Sequence, residues 1–262
     1  MDKNRLTVET DGHVLMIGLN NPEKLNSFDI AMYHDLGRAY GELNRSPDLR
    51  CGVLFAHGDH FTAGLDLTQW ASAFARGSFP DLPEDAVDPM GFDEDTRLRK
   101  PLVMAVRGIC FTIGLELLLA TDIRVAAKDA RFCQLEIKRG IYPVGGGTVR
   151  LIQEVGWGNA MRYLLTGDEI TGEEAFRMGL VQELTEPGDE LDRAMAIAHT
   201  IAKQAPLGVA ATLASARLAR ARGEGAALAR LMPDLVAMMG SEDVQEGIRS
   251  FIERREAVFK GR

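Results

Sequence analysis

An α/β fold with a helical C-terminal extension is predicted for this chain, on three observations. Short apolar runs bounded by glycine, proline or charged residues recur through the first two thirds, at Leu6–Thr10, His13–Leu19, Cys51–Ala56, Pro101–Val106 and Ile123–Ala126. Stretches with apolar residues at helical spacing separate them. From Glu190 onward the chain is rich in Ala, Leu and Arg, keeps the helical period and shows no further strand-like run. At 262 residues it is long enough to bury a substantial core, assigned to positions 1–200. Positions 201–262 form a helical region too thin for a core of its own, so it must pack on the body or on another subunit.

Taken in order, Leu6–Thr10 and His13–Leu19 alternate around Asp11-Gly12, the signal of a type I′ hairpin. NPEKLNS follows as a loop in which Ser27 is the expected N-cap of a helix carrying Met32, Leu36, Ala39, Tyr40 and Leu43. Ser46-Pro47 ends that helix, and Cys51–Ala56 reads as a buried strand. HGDHFTAGLDL is a glycine-bearing loop with a helix start near Asp66. Ala71–Thr96 holds three prolines and seven acidic residues, so it reads as a mobile surface insertion, of the kind that forms lids and equally of the neutral kind.

Pro101–Val106 resumes as a strand that leads to a turn at Thr112-Ile113-Gly114 and a short apolar helix carrying Glu116. Ile123–Ala126 is strand-like and precedes Glu136 in FCQLEI. The triple glycine at 145–147 opens an amphipathic helix, Gly156–Leu165 and Thr171–Met178 are helical, and Val181–Leu184 is a last short strand. Thr171 and Glu174 match a capping box.

Composition excludes several function classes. The net charge is −8 with no Lys/Arg-rich run, which argues against nucleic-acid and anionic-membrane surfaces but leaves room for a local basic pocket. No segment approaches the roughly 18 apolar residues of a membrane span. The three cysteines are scattered in apolar runs and read as reduced core residues of a soluble cytoplasmic protein. The five histidines lack ligand spacing, so no metal site is expected. GxSxG, GxxxxGK[ST] and HExxH are absent, and Met161 breaks the glycine pattern begun at Gly156 and Gly158.

Glycine turns and carboxylates remain. FTAGLD and TIGLE are small-residue turns leading into helices, each able to aim backbone N–H groups at one point, though such turns also occur with no ligand. Glu116 and Glu136 sit in oily contexts, where a carboxylate costs several kcal/mol to bury unless it is paired. Arg124, Arg131 and Lys138 are the candidate structural partners, and a catalytic pair is the alternative.

FTAGLDL at Phe61–Leu67, KPLVMAVRG at Lys100–Gly108, GLELLLATDI at Gly114–Ile123 and QLEIKRGIYPVGGGT at Gln134–Thr148 together resemble the enoyl-CoA hydratase/isomerase (crotonase) superfamily, most closely enoyl-CoA hydratase. NPEKLNSFD, LTGDEITGEEAFRMGLV and FIERREAVFKGR extend the likeness over nearly the whole chain. The resemblance implies a spiral of ββα repeats with C-terminal helices that trimerise, often as a dimer of trimers. It implies an acyl-CoA thioester substrate and an oxyanion hole built from the N–H groups of Ala63 and Ile113. It places Glu116 and Glu136 where family hydratases hold the two acids that add water across C2=C3. Lys24, Leu25, Ala63, Asp66 and Leu67 fall where the family contacts the CoA nucleotide and pantetheine arm, Gly64 and Gly114 count among the substrate-binding positions, and Phe251 and Lys260 fall where a neighbouring subunit's tail can help hold CoA.

No cofactor is implied, CoA being part of the substrate. Thr112-Ile113 departs from the glycines usual in family hydratases, and a β-branched residue at 113 is expected to resist positive φ and to add bulk to the pocket wall. Val144 stands where the dienoyl-CoA isomerase branch has an acid, and many simple isomerases lack the acid at Glu116. Hydration is therefore the first reading. Another acyl-CoA reaction (isomerisation, thioester hydrolysis or decarboxylation) or acyl-CoA binding without catalysis are the alternatives.

Overall fold

A computed structural model describes residues 5–262. Strands β1 (Leu6–Asp11) and β2 (Val14–Leu19) pair antiparallel, and β2 is joined in parallel by β3 (Cys51–Ala56). β4 (Leu102–Val106), β6 (Ile123–Ala127) and β9 (Glu183–Thr185) complete a six-stranded sheet in the order β1-β2-β3-β4-β6-β9. The hairpin turn differs from the expected type. Asp11 pairs with Val14, so Gly12 and His13 are central, and only Gly12 has positive φ, as a II′ turn requires.

A second, smaller sheet contains β5 (Ile109–Phe111), β7 (Arg131–Cys133) and β8 (Ile170–Thr171). An isolated parallel bridge between Thr62 and Cys110 adds the chain after β3 to its edge. Each winding thus sends one strand into the large sheet and a short continuation into the small one: β3 then Thr62, β4 then β5, β6 then β7. The glycine turns at 63–65 and 112–114 lie where those continuations end.

Alternation along β3 shows how the large sheet is covered. Cys51, Val53 and Phe55 face Ala194, Ala198 and Ala202 of α7 (Glu190–Ala202). Leu54 faces the main core with Leu15, Ile17, Met104 and Val106. Small residues on α7 let the helix lie close to the sheet, an arrangement that β-branched residues on the strands fill.

Helix α1 (Ile30–Arg45) buries Met32, Leu36, Ala39, Tyr40 and Leu43 as its period predicts. Its N-cap is Asp29, whose carboxylate accepts from the Met32 N–H at 2.7 Å, and not Ser27. α2 (Leu67–Ala75) is capped by Asp66, α3 runs Ile113–Ala120, α4 Gly147–Val155, α5 Trp157–Thr166 and α6 Gly172–Arg177. Beyond α7 come α8 (Pro206–Arg222), α9 (Glu224–Leu228), α10 (Leu231–Met238) and α11 (Glu242–Glu253).

The stretch 71–96 is not the loose insertion its acidity suggested. Its first residues, 71–75, continue α2; Ala73 and Met90 are fully buried, and Phe79, Leu82 and Val87 pack against the main core. Tyr33, Trp70, Phe74, Phe79 and Phe92 form a chain of edge and tilted ring contacts. Asp88 ties the far end, accepting from Tyr33 Oη and from the N–H groups of Met90 and Phe92. Its apolar residues carry no period, so they anchor the segment without marking it in the sequence.

Candidate active site

The loop NPEKLNS is stitched onto the turn after β3. Buried Asn26 donates to the carbonyls of His57 and His60, and its own carbonyl accepts from Thr62 Oγ1 at 2.7 Å. Leu25, at φ 51°, accepts the Ala63 N–H at 2.9 Å and leaves its side chain largely exposed. The Ala63 N–H expected to hold a substrate oxygen is therefore already spent. Two residues on, Phe28 and Leu65 form a parallel bridge in which Phe28 pairs with the Gly64 carbonyl and the Asp66 N–H. The Leu65 N–H points away from that bridge and has no partner among the described residues. It replaces Ala63 as the available donor of this turn.

The second turn lies beside the first. A methyl built on Gly64 would meet Thr112 Oγ1 at 2.3 Å, and one on Gly114 would meet Thr62 Cγ2 at 2.5 Å. Only glycines fit at 64 and 114, which lets the two turns touch. Ile113 is the first residue of α3, so its N–H has no intrahelical acceptor and sits at the positive end of the helix dipole. The strain expected at 113 falls instead on Thr112, at φ 50° and ψ −114°, and the Ile113 side chain is buried in the core and not in a pocket wall. A β-branched residue in that region costs on the order of 1–3 kcal/mol.

One turn further along α3, Glu116 is 4% exposed. Its Oε1 accepts the Gly147 N–H at 3.1 Å, the Gly145 N–H also faces it, and a methyl on Gly145 would lie 2.2 Å from Oε2. The triple glycine thus forms a cradle for this carboxylate. Burial pushes the Glu116 carboxyl up to about 7; the backbone donors oppose the rise and the nearby Glu136 charge adds to it. Glu136 opens a 3-10 turn, Glu136–Arg139, and burial raises its carboxyl to about 7 as well. With its amide nitrogen turned to Glu136, buried Gln134 donates to both carboxylate oxygens at 3.0 and 2.9 Å.

Two of the structural partners that sequence allowed, Arg124 and Arg131, are engaged elsewhere. Arg124 binds Glu154, the Leu118 carbonyl and the Leu180 carbonyl, and Arg131 pairs with Glu169. Neither acid is paired with them. The Glu136 charge is felt at Glu116 and raises its carboxyl, the more distant Arg150 charge opposes it, and two acids interacting in this way are suited to sharing one proton.

Other expected site residues divide. Leu67 is exposed beside the first turn, and Lys24 is exposed on the stitched loop. Asp66 acts as the α2 N-cap: its carboxylate accepts from Thr68 and Gln69, and the Thr68 hydroxyl holds its pKa below the usual carboxylate range. Phe251 is 84% exposed on α11, and the Lys260 ammonium lies 3.7 Å from Glu242. Within one chain the Phe251 side chain is open to solvent and the Lys260 ammonium is turned to α11. Sequence reasoning passed over Leu65, Gln134 and the role of the glycine cradle. Only QLE and GGG marked them, and neither says which carboxylate they serve.

The family profile described as enoyl-CoA hydratase/isomerase matches residues 9–262. A curated relative, enoyl-CoA hydratase EchA19 of Mycobacterium tuberculosis, is 35% identical over 97% of this chain and 96% of its own length. The (E)-benzylidenesuccinyl-CoA hydratase of Thauera aromatica is 33% identical over 98% and 99%. Among solved structures, a probable enoyl-CoA hydratase/isomerase from Mycobacterium abscessus superposes with a TM-score of 0.96 at 47% identity, covering 100% of both chains.

Proposed function

The chain belongs to the enoyl-CoA hydratase/isomerase family and is an enzyme of the crotonase superfamily, and from that premise we propose that it adds water across the C2=C3 double bond of an enoyl-CoA thioester. The observation that carries the reading is the pair Glu116, buried, and Glu136, half-buried, both raised to about 7 beside two turns with free N–H groups. At neutral pH such a pair holds one proton between them. The ionised member takes a proton from water as its oxygen bonds to C3. The C=C electron pair moves toward the thioester oxygen, giving an enolate, and the protonated member then delivers its proton to C2.

Negative charge on the thioester oxygen is met by the N–H groups of Leu65 and Ile113. Each donor of this kind is worth roughly 3–4 kcal/mol where one has been removed from other enzymes. The written reaction balances without a metal or redox cofactor, CoA leaving with the product. Leu25 and Leu67, exposed apolar side chains beside the first turn, suit the pantetheine arm, and Lys24 suits a phosphate of the nucleotide. Gly64 and Gly114 serve by letting the turns approach, and Phe251 and Lys260 would contact CoA from a neighbouring subunit.

The test follows loss of enoyl-thioester absorbance with purified protein over a panel of acyl-CoAs, and checks by mass spectrometry that the product has gained one water. Glu116→Gln and Glu136→Gln should each lower kcat by about 10²–10⁴-fold. Undiminished turnover in both variants, or a product of unchanged mass, would overturn the proposal.

A further inference from the structure

The two donor turns interlock through a reciprocal pair of threonine-on-glycine contacts, and the two threonines differ. Thr62 Cγ2 lies under Gly114, while Thr62 Oγ1 is fully bonded, donating to the Asn26 carbonyl and accepting from the Gly64 N–H at 3.0 Å. Thr112 sits against Gly64, with Oγ1, Cβ and Cγ2 placed 2.3, 3.5 and 3.6 Å from a methyl built there. Its Oγ1 is buried and has no hydrogen-bond partner. Nothing polar accounts for its presence, and its backbone holds φ 50° and ψ −114°, where glycine alone would be relaxed.

What the side chain does is set by where its backbone leads. The peptide joining Thr112 to Ile113 carries the Ile113 N–H, so ψ of Thr112 aims that donor. Gly64, at φ 114°, immediately precedes Leu65, so contact on Gly64 bears on the aim of the other donor. The flanking groups are tied, since the Thr112 N–H donates to the Cys133 carbonyl at 2.8 Å and its carbonyl accepts from the Glu116 N–H at 3.1 Å. With glycine at 112, the Gly64 Cα would face a gap, and two glycine peptides would be free to turn.

We propose that Thr112 is a positioning residue, whose side chain, wedged against Gly64, holds the Leu65 and Ile113 N–H groups at one separation and aim. This rests on the reading of those two groups as oxyanion donors. The wedge acts by shape, because the hydroxyl is unpaired. Donors aimed at a developing charge are felt most in the transition state, so loss of aim lowers kcat more than it raises KM.

The experiment compares the parent protein with Thr112→Gly and Thr112→Val. One readout is steady-state hydration of the best enoyl-CoA found. The other is the absorption of a bound para-dimethylaminocinnamoyl-CoA, which moves to the red as hydrogen bonds polarise its carbonyl. Thr112→Gly should lower kcat about tenfold or more with KM changed by less than about threefold, and should show a smaller red shift. Its melting temperature should equal or exceed the parent's, since glycine relieves the backbone. Thr112→Val, which keeps the shape, should retain kcat and the red shift. The inference is overturned if Thr112→Gly matches the parent in both readouts, or if Thr112→Val falls as far as Thr112→Gly. A parent protein that binds the probe with no red shift would instead overturn the donor reading beneath it.

Discussion

Glu116 and Glu136 pay for their placement in protonation equilibrium. Burial is the largest cause in both, so the folded protein holds protons that the unfolded chain releases near its ordinary carboxylate value of 4.5. For acids raised in this way, the stabilising contribution is complete below 4.5 and is lost as pH rises through about 7. Replacing Glu116 by Gln removes the cost of ionising a buried carboxyl. Unfolding free energies from urea titration should therefore favour Glu116→Gln over the parent by about 3 kcal/mol near pH 8.5 and by about 1 kcal/mol near pH 5.5. Glu136→Gln should move in the same direction. A gap that does not widen with pH would mean that the acids are not raised. The pH profile of kcat/KM should be bell-shaped about neutrality, and each variant should lose a limb.

At the scale of elements, the cradle at 145–147 decides the aim of Glu116. Gly145 does not have positive φ, so an alanine there is opposed by contact alone: its methyl would meet Oε2 at 2.2 Å. Gly145→Ala should displace the carboxylate and lower kcat by about tenfold or more, with a normal far-UV circular dichroism spectrum. Full activity in that variant would remove the cradle from the mechanism. The same scale explains which elements escaped the sequence. β5, β7 and β8 span 3, 3 and 2 residues, too short to show alternation, yet they place Thr62, Phe111 and Cys133 beside one another. The packing of segment 71–96 is hidden for a related reason, since scattered Phe79, Leu82 and Val87 find their partners on α1 and α2 and not on neighbours in sequence.

For the whole molecule, the C-terminal region stands out by what it leaves uncovered. α10 has no buried residue, and Met232, Val236, Phe251 and Ile252 are each at least 64% exposed. Apolar area of that extent is ordinarily covered. Further copies of this chain are the proposed cover, as a trimer or a dimer of trimers, in line with the assembly that the family resemblance implies. Sedimentation velocity should give a trimer or hexamer for the parent, and Val236→Glu should shift it toward monomer. A monomeric parent at micromolar concentration would overturn this assembly.

How much was legible differs between fold and site. The large-sheet strands, α1, the start of α2 and the Thr171 cap were readable because period, turn residues and caps are local properties of the chain. The two carboxylates were readable because an acid in an apolar run is conspicuous on energetic grounds alone. Which N–H groups were free was not readable, because a donor is spent or available according to a partner distant in sequence: Leu25 takes Ala63, and Phe28 leaves Leu65 aside. The turn at Thr112-Ile113-Gly114 divides the same way. Its departure from glycine was plain in the sequence, but only the helix start at Ile113 and the contact with Gly64 put the strain on Thr112. The sequence by itself determined the fold class, the family likeness and the pair of acids, all of which follow from local pattern. Tertiary structure alone decided the donors, the cradle and the packing of 71–96, because each depends on backbone groups meeting across windings of the chain.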